Sequence, residues 1–182
     1  MDRLVLKNGC AVALALCLTA GAGAEGTHDL KVTREFTAPV EAVWAAWAES
    51  EAVKAWWGPT GFTAPIAEMD FREGGTSLVC MRPPQGPNLC NSWTYRRIVP
   101  HERIEFDVDF VDVEGTPIDP AAIGLPPGIP DLVPHVITFE PGADGGTRMT
   151  VLEQGYASPE TVEMSRMGLE QVLDKLATFV KQ

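Results

Sequence analysis

Basic residues are scarce in this sequence of 182 residues, which has 14 Lys and Arg against 25 Asp and Glu and a formal net charge of −11. Nucleic acids and anionic membrane surfaces are polyanions, so this acidic balance argues against both as partners. Cysteine is also rare, with four residues, which excludes a small scaffold built from disulfides. The apolar fraction of 45% is that of an ordinary globular protein. The length fits one domain, with or without a targeting segment.

Common catalytic motifs are missing as well. The sequence has no G-x-S-x-G, no H-E-x-x-H, no P-loop and no dinucleotide fingerprint. Of its three histidines, His28 lies near the N-terminus, His101 follows a proline in a turn, and His135 follows Pro134 at the start of a strand. No cofactor and no metal site are therefore predicted. These patterns leave open whether the protein is an enzyme.

The one long hydrophobic run lies at the N-terminus. Arg3 and Lys7 precede an apolar stretch over residues 10–18, and Ala22-Gly23-Ala24 then matches the small-residue rule for cleavage. This three-part pattern is typical of a secretory signal peptide. The apolar stretch is too short for a membrane anchor, which needs roughly 20 consecutive apolar residues. Residues 1–24 are therefore predicted to be a signal peptide.

A lipoprotein signal is the alternative, with Cys17 as the acylated residue. A lipobox places a small residue before its cysteine, and this sequence has Leu16 there. Cleavage after residue 24 leaves a polar tail over residues 25–29, a single domain over residues 30–182, and a net charge of −12. We therefore predict a soluble protein in the periplasm or the medium, with no membrane as partner after cleavage.

Export changes the interpretation of the cysteines. Two of the four lie in the signal peptide, so Cys80 and Cys90 remain, in an oxidising compartment where a disulfide is the default. The turn-rich residues 81–89 separate them. If the flanking strands pair symmetrically about this turn, Cys80 faces Cys90, and a disulfide is predicted. A metal-binding or catalytic thiol is the alternative, but no His or third Cys accompanies the pair.

Hydrophobic periodicity predicts an α+β domain. Residues 30–36 alternate as a half-buried strand, a helix starts at Pro39, and a second short helix ends at Gly58-Pro59. Further strands are predicted over residues 66–72, 76–81, 91–98, 103–110, 136–140 and 147–154, with a long connection over residues 112–135. Ser158 and Pro159 begin a long last helix. Consecutive strands imply an antiparallel sheet, with that helix lying across it.

Several motifs resemble one family. Residues 36–47, Trp56-Trp57-Gly58-Pro59 and residues 69–75 are similar, in this order, to the SRPBCC (START-like) superfamily, in the group related to the C-terminal domain of the heat-shock-protein-90 ATPase activator. The resemblance covers residues 30–181. It implies a helix-grip fold, in which a curved sheet of about six to seven strands wraps the C-terminal helix and encloses a cavity. The family usually has Gly-Trp where this chain has Gly168-Leu169, so a wider or less aromatic cavity is expected.

Apolar candidates for the cavity lining come from strand faces and from the last helix. They are Trp56, Trp93, Tyr95, Phe106, Phe110, Met149, Met164, Met167 and Leu169. Aromatic and flexible Met side chains suit an apolar pocket for a small molecule. The alternative is that the aromatic residues only fill the core, which we favour for Trp44 and Trp47. The sequence does not determine which face of the sheet lines the cavity.

Polar anchor candidates are Asp70, Arg72 and His135. Asp70 and Arg72 share a face if their strand continues, although an exposed ion pair is the favoured alternative. His135 is the one histidine near the expected cavity mouth. Arg97 and Glu153 are second-rank candidates.

Three functions follow as hypotheses. The first is binding of a small hydrophobic molecule between the sheet and the last helix. The second is a cyclase- or hydrolase-like enzyme acting on an apolar aromatic substrate, which needs a polar group inside the cavity. The third is regulation of a chaperone ATPase, which requires that the protein stays in the cytoplasm. The sequence indicates neither the ligand nor the oligomeric state.

Overall fold

The computed structural model describes residues 27–181, so the predicted signal peptide lies outside the described residues. Seven strands and three α-helices follow in the order β1 (His28–Phe36), α1 (Val40–Ala48), α2 (Ser50–Trp56), β2 (Thr63–Glu68), β3 (Thr76–Arg82), β4 (Leu89–Val99), β5 (Arg103–Val111), β6 (Leu132–Pro141), β7 (Thr147–Tyr156) and α3 (Pro159–Phe179). Within residues 27–181, no helix combines the length and apolar character needed to cross a bilayer.

The seven strands form one antiparallel sheet in the order β1-β7-β6-β5-β4-β3-β2. Strands β2 to β7 pair with their sequence neighbours, while β1 returns to pair with β7. Helices α1 and α2 therefore connect the two edges of the sheet. The predicted α+β, helix-grip fold with two short helices after the first strand is confirmed.

Helix α3 lies on the same face of the sheet as α1 and α2. Ser158 caps its N-terminus, where the Oγ atom accepts a hydrogen bond from the backbone N–H of Thr161 at 3.3 Å. Its buried side chains recur at helical spacing, which gives one apolar stripe toward the sheet; they include Val162, Leu169, Val172, Leu173 and Leu176. The predicted last helix thus packs on the sheet through this stripe.

Polar contacts fix the position of α3. Arg34 on β1 forms ion pairs with Glu170 at 2.6 Å and Asp174 at 2.7 Å. From the other side of the helix, Lys175 Nζ donates to the carbonyl oxygens of Trp57 at 3.1 Å and Phe62 at 3.0 Å. The helix is therefore tied to β1 at one edge and to the segment after α2 at the other.

The β3–β4 hairpin carries a disulfide. Cys80 and Cys90 are register partners, their Cα atoms are 4.0 Å apart, and their sulfur atoms are bonded. Successive side chains alternate between the faces of a strand, so Cys90 lies on the opposite face from the core residue Trp93. The two cysteines pack with Val111 in a separate small cluster. The disulfide is therefore on the face of the sheet away from α3.

The second strand ends earlier than its alternating sequence predicts. It spans Thr63–Glu68 in place of the predicted residues 66–72. The backbone N–H of Arg72 donates to the carbonyl of Asp70 at 2.9 Å, which begins a turn. Gly75 closes that turn, since a Cβ atom at this position would lie 2.2 Å from the Asp70 carbonyl oxygen. Asp70 and Arg72 thus belong to a turn and not to a strand face.

Candidate functional site

A cluster of aromatic rings fills one half of the space between the sheet and the helices. The ring centres of Trp47 and Trp56 are 4.8 Å apart, and those of Trp57 and Trp93 are 4.7 Å apart. Trp93 also contacts Phe106 on the neighbouring strand, at 5.3 Å. Such edge and tilted contacts are the favoured arrangements of aromatic pairs. This half of the interior is solid core.

The other half contains a cavity of about 280 Å³ between the sheet and the first half of α3. Strand residues on its wall are Met81, Asn91, Val108, Phe110, Val133, His135, Glu153 and Tyr156, and helix α3 contributes Met164, Ser165, Gly168, Leu169 and Val172. Its remaining lining residues are Trp57, Pro59, Leu125, Pro126 and Ile129. The wall is mainly apolar, with a few polar groups, as is usual for small-molecule sites.

The apolar candidates from the sequence divide between these two halves. Phe110, Met164 and Leu169 line the cavity. The core contains Trp56, Trp93, Tyr95, Phe106 and Met149, none of them more than 2% exposed, and none of them is among the lining residues. Met167 is 57% exposed on α3 and is not among the lining residues either. The cavity is therefore less aromatic than the set of sequence candidates.

The polar candidates divide in the same way. His135 lines the cavity, whereas Asp70 and Arg72 do not. Arg72 donates two hydrogen bonds of 2.9 Å to the carboxylate of Asp70, and both side chains are substantially exposed. This matches the alternative of a surface ion pair. Near them, Tyr95 is hydrogen-bonded to Ser77 at 3.1 Å, and burial raises the pKa of Tyr95 to about 12.

One polar group on the cavity wall stands out, formed by His135, Glu153 and Tyr156. His135 and Glu153 are cross-strand partners on β6 and β7, with 3.3 Å between His135 Nε2 and Glu153 Oε1. His135 Nδ1 lies 2.9 Å from the carbonyl oxygen of Val133, and the Tyr156 hydroxyl donates to Glu153 Oε2. Both ring nitrogens of His135 thus face acceptors, which an imidazolium satisfies with its two N–H donors. The ring also stacks on Phe106 at 4.9 Å.

The environment sets the charges of this group. Burial alone raises the pKa of Glu153, but the charge of His135 and the hydrogen bonds from His135 and Tyr156 outweigh burial and lower that pKa. Burial, and then the neighbouring carboxylate, raise the pKa of Tyr156. The lowered pKa keeps Glu153 ionised at neutral pH, and the raised pKa keeps Tyr156 a neutral donor to it.

The sequence predicts Glu153 as a second-rank polar candidate and does not identify Tyr156. A signal for Glu153 is present in β7, where it continues the alternation of the buried residues Met149 and Val151. A carboxylate on an otherwise apolar strand face is unusual unless it is paired. Tyr156 follows the positive-φ residue Gly155, where the alternation breaks, so no periodic pattern identifies it.

Within residues 27–181, no group of three or more His, Cys, Asp or Glu side chains is placed to hold a metal ion. What the cavity can offer is apolar contact, a carboxylate acceptor and the neutral donors around it.

Comparison with known proteins adds the family. No curated protein matches the chain. A structure from Chromobacterium violaceum is 26% identical over 85% of this chain and 97% of that chain, with a TM-score of 0.69. One from Mycobacterium smegmatis is 27% identical over 84% of this chain and 87% of that chain, with a TM-score of 0.65. An AHSA1 protein from Silicibacter pomeroyi, 22% identical over 83% of this chain and 96% of that chain with a TM-score of 0.66, shares the fold.

Residues 37–181 match the family described as Activator of Hsp90 ATPase homolog 1-like protein. This confirms the resemblance found in the Trp56-Trp57-Gly58-Pro59 motif and its neighbours. The chain belongs to the family of Activator of Hsp90 ATPase homolog 1-like proteins.

Proposed function

We propose that this protein is exported and binds one small hydrophobic molecule in the cavity between the sheet and α3. The observation that carries the proposal is the cavity itself, about 280 Å³ in volume and walled mainly by apolar side chains. Concave sites that are lined mainly by apolar and aromatic side chains, with a few polar groups, are the usual binding sites of small molecules. The apolar wall of this cavity therefore supports a binding role.

The helix supplies a second argument. Gly168 borders the cavity, and a Cβ atom at this position would meet no atom within 4 Å. A glycine inside a helix costs about 1 kcal/mol relative to alanine. The chain thus has glycine, which is unfavourable inside a helix, at a position where a larger side chain would project into open space. This arrangement supports a cavity that is kept open.

Export is supported by the disulfide between Cys80 and Cys90, because disulfides persist in oxidising compartments and are rare in the cytosol. Residues 1–24, which match the three-part pattern of a signal peptide, are proposed as that segment. An exported protein is separated from the cytoplasmic chaperone and its ATP, so regulation of a chaperone ATPase is not our proposal, although the family name refers to it.

A fluorescent probe tests the binding role. The neutral apolar dye N-phenyl-1-naphthylamine is expected to bind one to one and to brighten on transfer from water to the cavity. Gly168→Phe places a ring in the open space and is expected to weaken dye binding by at least about tenfold, the effect of losing roughly 1.4 kcal/mol. Gly168→Ala is the matched control, because its methyl group leaves most of the volume free.

Two results would contradict the proposal. Absence of dye binding to the wild-type protein would remove the cavity as a binding site for apolar molecules. Equal binding by the wild type and Gly168→Phe would show that the dye binds elsewhere. Thermal unfolding of both variants checks that each is folded.

A further inference from the structure

The ion pair on the cavity wall narrows the chemistry of the bound molecule, provided that the proposed function holds. We infer that the ligand is an uncharged apolar molecule with one hydroxyl group, an alcohol or a phenol, and that this hydroxyl donates a hydrogen bond to Glu153. The inference combines the free hydrogen-bonding capacity of the carboxylate, the charge balance of the wall and the neighbouring donors.

The carboxylate of Glu153 has room for further donors. An ionised carboxylate offers about four lone-pair positions on its two oxygens. His135 approaches Oε1, and Tyr156 donates to Oε2, which leaves about one position on each oxygen. Glu153 lines the cavity and is only 9% exposed. A ligand that fills the cavity removes water from these positions, and a buried acceptor without a donor is costly.

Charge balance selects the type of donor. The two ring nitrogens of His135 face two acceptors, as those of an imidazolium do, and an imidazolium beside the Glu153 carboxylate contributes no net charge to the cavity wall. An ammonium head group would bring one unbalanced positive charge into an apolar space, and a carboxylate head group would face Glu153. Burial of an unpaired charge is far more costly than burial of a neutral hydroxyl that is hydrogen-bonded. The wall therefore favours a neutral donor.

A hydroxyl oxygen also needs a donor of its own. Ser165 on α3 lines the same cavity and is hydrogen-bonded to Tyr156, the neighbour of Glu153. A hydroxyl rotates freely, so that of Ser165 can turn to donate to the ligand. The polar wall thus offers the acceptor and the donor that an alcohol or phenol needs, within a lining that is otherwise mainly apolar.

The cavity has room for a small test ligand. Its volume of about 280 Å³ is many times the roughly 30 Å³ share of one water molecule, so a molecule of eight non-hydrogen atoms fits. This size allows a pair of test compounds that are isomers. 1-Heptanol and hexyl methyl ether have the same atoms, but only the alcohol can donate a hydrogen bond.

Displacement of N-phenyl-1-naphthylamine from the wild-type protein compares the binding of four compounds: 1-heptanol, hexyl methyl ether, heptylamine and heptanoate. 1-Heptanol is expected to displace the dye at a concentration at least about tenfold lower than hexyl methyl ether, because hydrogen bonds to charged groups are the strong ones. Heptylamine and heptanoate are expected to be weaker than the alcohol. This comparison needs no variant, so it does not depend on how a substitution folds.

Glu153→Gln then tests the acceptor. The amide keeps the shape of the carboxylate but removes its charge and one acceptor oxygen. In the wild type, the ether should need about tenfold more than the alcohol to displace the dye. In Glu153→Gln this ratio is expected to fall to within about twofold. Glu140→Gln makes the same change at an exposed position and is expected to leave the ratio unchanged.

The outcomes separate the two proposals. If the dye binds but the two isomers displace it equally, the hydroxyl assignment is wrong while the proposed function stands. If heptylamine or heptanoate displaces it best, the head group is charged and the assignment is likewise wrong. A preference for the alcohol that persists in Glu153→Gln would assign the hydroxyl to another acceptor. If the dye does not bind at all, the proposed function and this inference both fail.

Discussion

Tyr95 and Tyr156 lie in the two different halves of the interior, and each is hydrogen-bonded. Tyr95 packs with the aromatic cluster and contacts Ser77 at 3.1 Å, whereas Tyr156 donates to Glu153 beside the cavity. Both side chains are at most 3% exposed. They are the two tyrosines of the whole chain. A titration of tyrosine therefore reports on the core and on the cavity wall together.

Neither tyrosine is expected to ionise near its ordinary pKa in the folded protein. Burial raises the pKa of Tyr95 to about 12 and also raises that of Tyr156, where the carboxylate of Glu153 adds to the effect. The near-ultraviolet absorbance of tyrosinate should thus stay flat as the pH passes 10, while the protein in denaturant titrates at about 10. Both tyrosines hold their protons more tightly in the folded state than in the unfolded state. Their contribution to the free energy of unfolding is therefore complete below pH 10 and is lost as the pH rises through the pKa values of the folded protein.

The matched control is Tyr156→Phe, which should halve the final tyrosinate signal without adding an early step. If the absorbance of the folded wild type rises near pH 10 by the amount of one tyrosinate, one of the two hydroxyls is solvated and the prediction is wrong. Far-ultraviolet circular dichroism at each pH separates titration of the folded protein from alkaline unfolding.

At the scale of elements, the hairpin and the second strand show what the sequence can and cannot predict. The register of β3 and β4 follows from symmetric spacing about the turn between Cys80 and Cys90, because strand pairing across a short connection is a local property. The end of β2 depends on a turn closed by Gly75 against the Asp70 carbonyl and by the contact of Gly74 N–H with the Tyr95 carbonyl. That contact joins distant parts of the chain, so alternation alone misses it.

Loss of the disulfide is expected to destabilise the hairpin through the unfolded state. The bond joins cysteines that are 10 residues apart, and closing so short a loop removes about 2–3 kcal/mol of chain entropy from the unfolded ensemble. The double variant Cys80→Ser/Cys90→Ser should lower the free energy of unfolding by about that amount. Urea unfolding with a fluorescence readout measures it.

The comparison that isolates the bond is the wild type with and without a reductant, since the serines also change packing in a buried site. The double variant should be insensitive to the reductant, whereas the wild type should lose stability. Dye binding should remain in both, because the disulfide is on the face of the sheet away from the cavity. Equal stability of the oxidised and reduced wild type would contradict the prediction.

For the whole molecule, the fold was predictable but the position of the cavity was not. Element order and the Trp56-Trp57-Gly58-Pro59 motif are enough to identify an α+β, helix-grip domain. The division of the interior into a solid half and an open half depends on the packing of Trp57 and Trp93 between α2 and the sheet. Aromatic side chains occur in both halves. Phe106 and Phe110 share a strand face, but Phe106 lies in the solid half and Phe110 lines the cavity.

Export is the prediction that concerns the whole chain. Expression of all 182 residues in a Gram-negative host is expected to give a periplasmic protein that starts at Glu25, because Ala22-Gly23-Ala24 fits the cleavage rule. Its intact mass should be two hydrogens below that of the reduced chain, as oxidation of Cys80 and Cys90 requires. A chain lacking residues 1–24 is the control, expected in the cytoplasm with two free thiols. A cytoplasmic product that retains Met1 would refute export, and a membrane-bound product with acylated Cys17 would identify a lipoprotein.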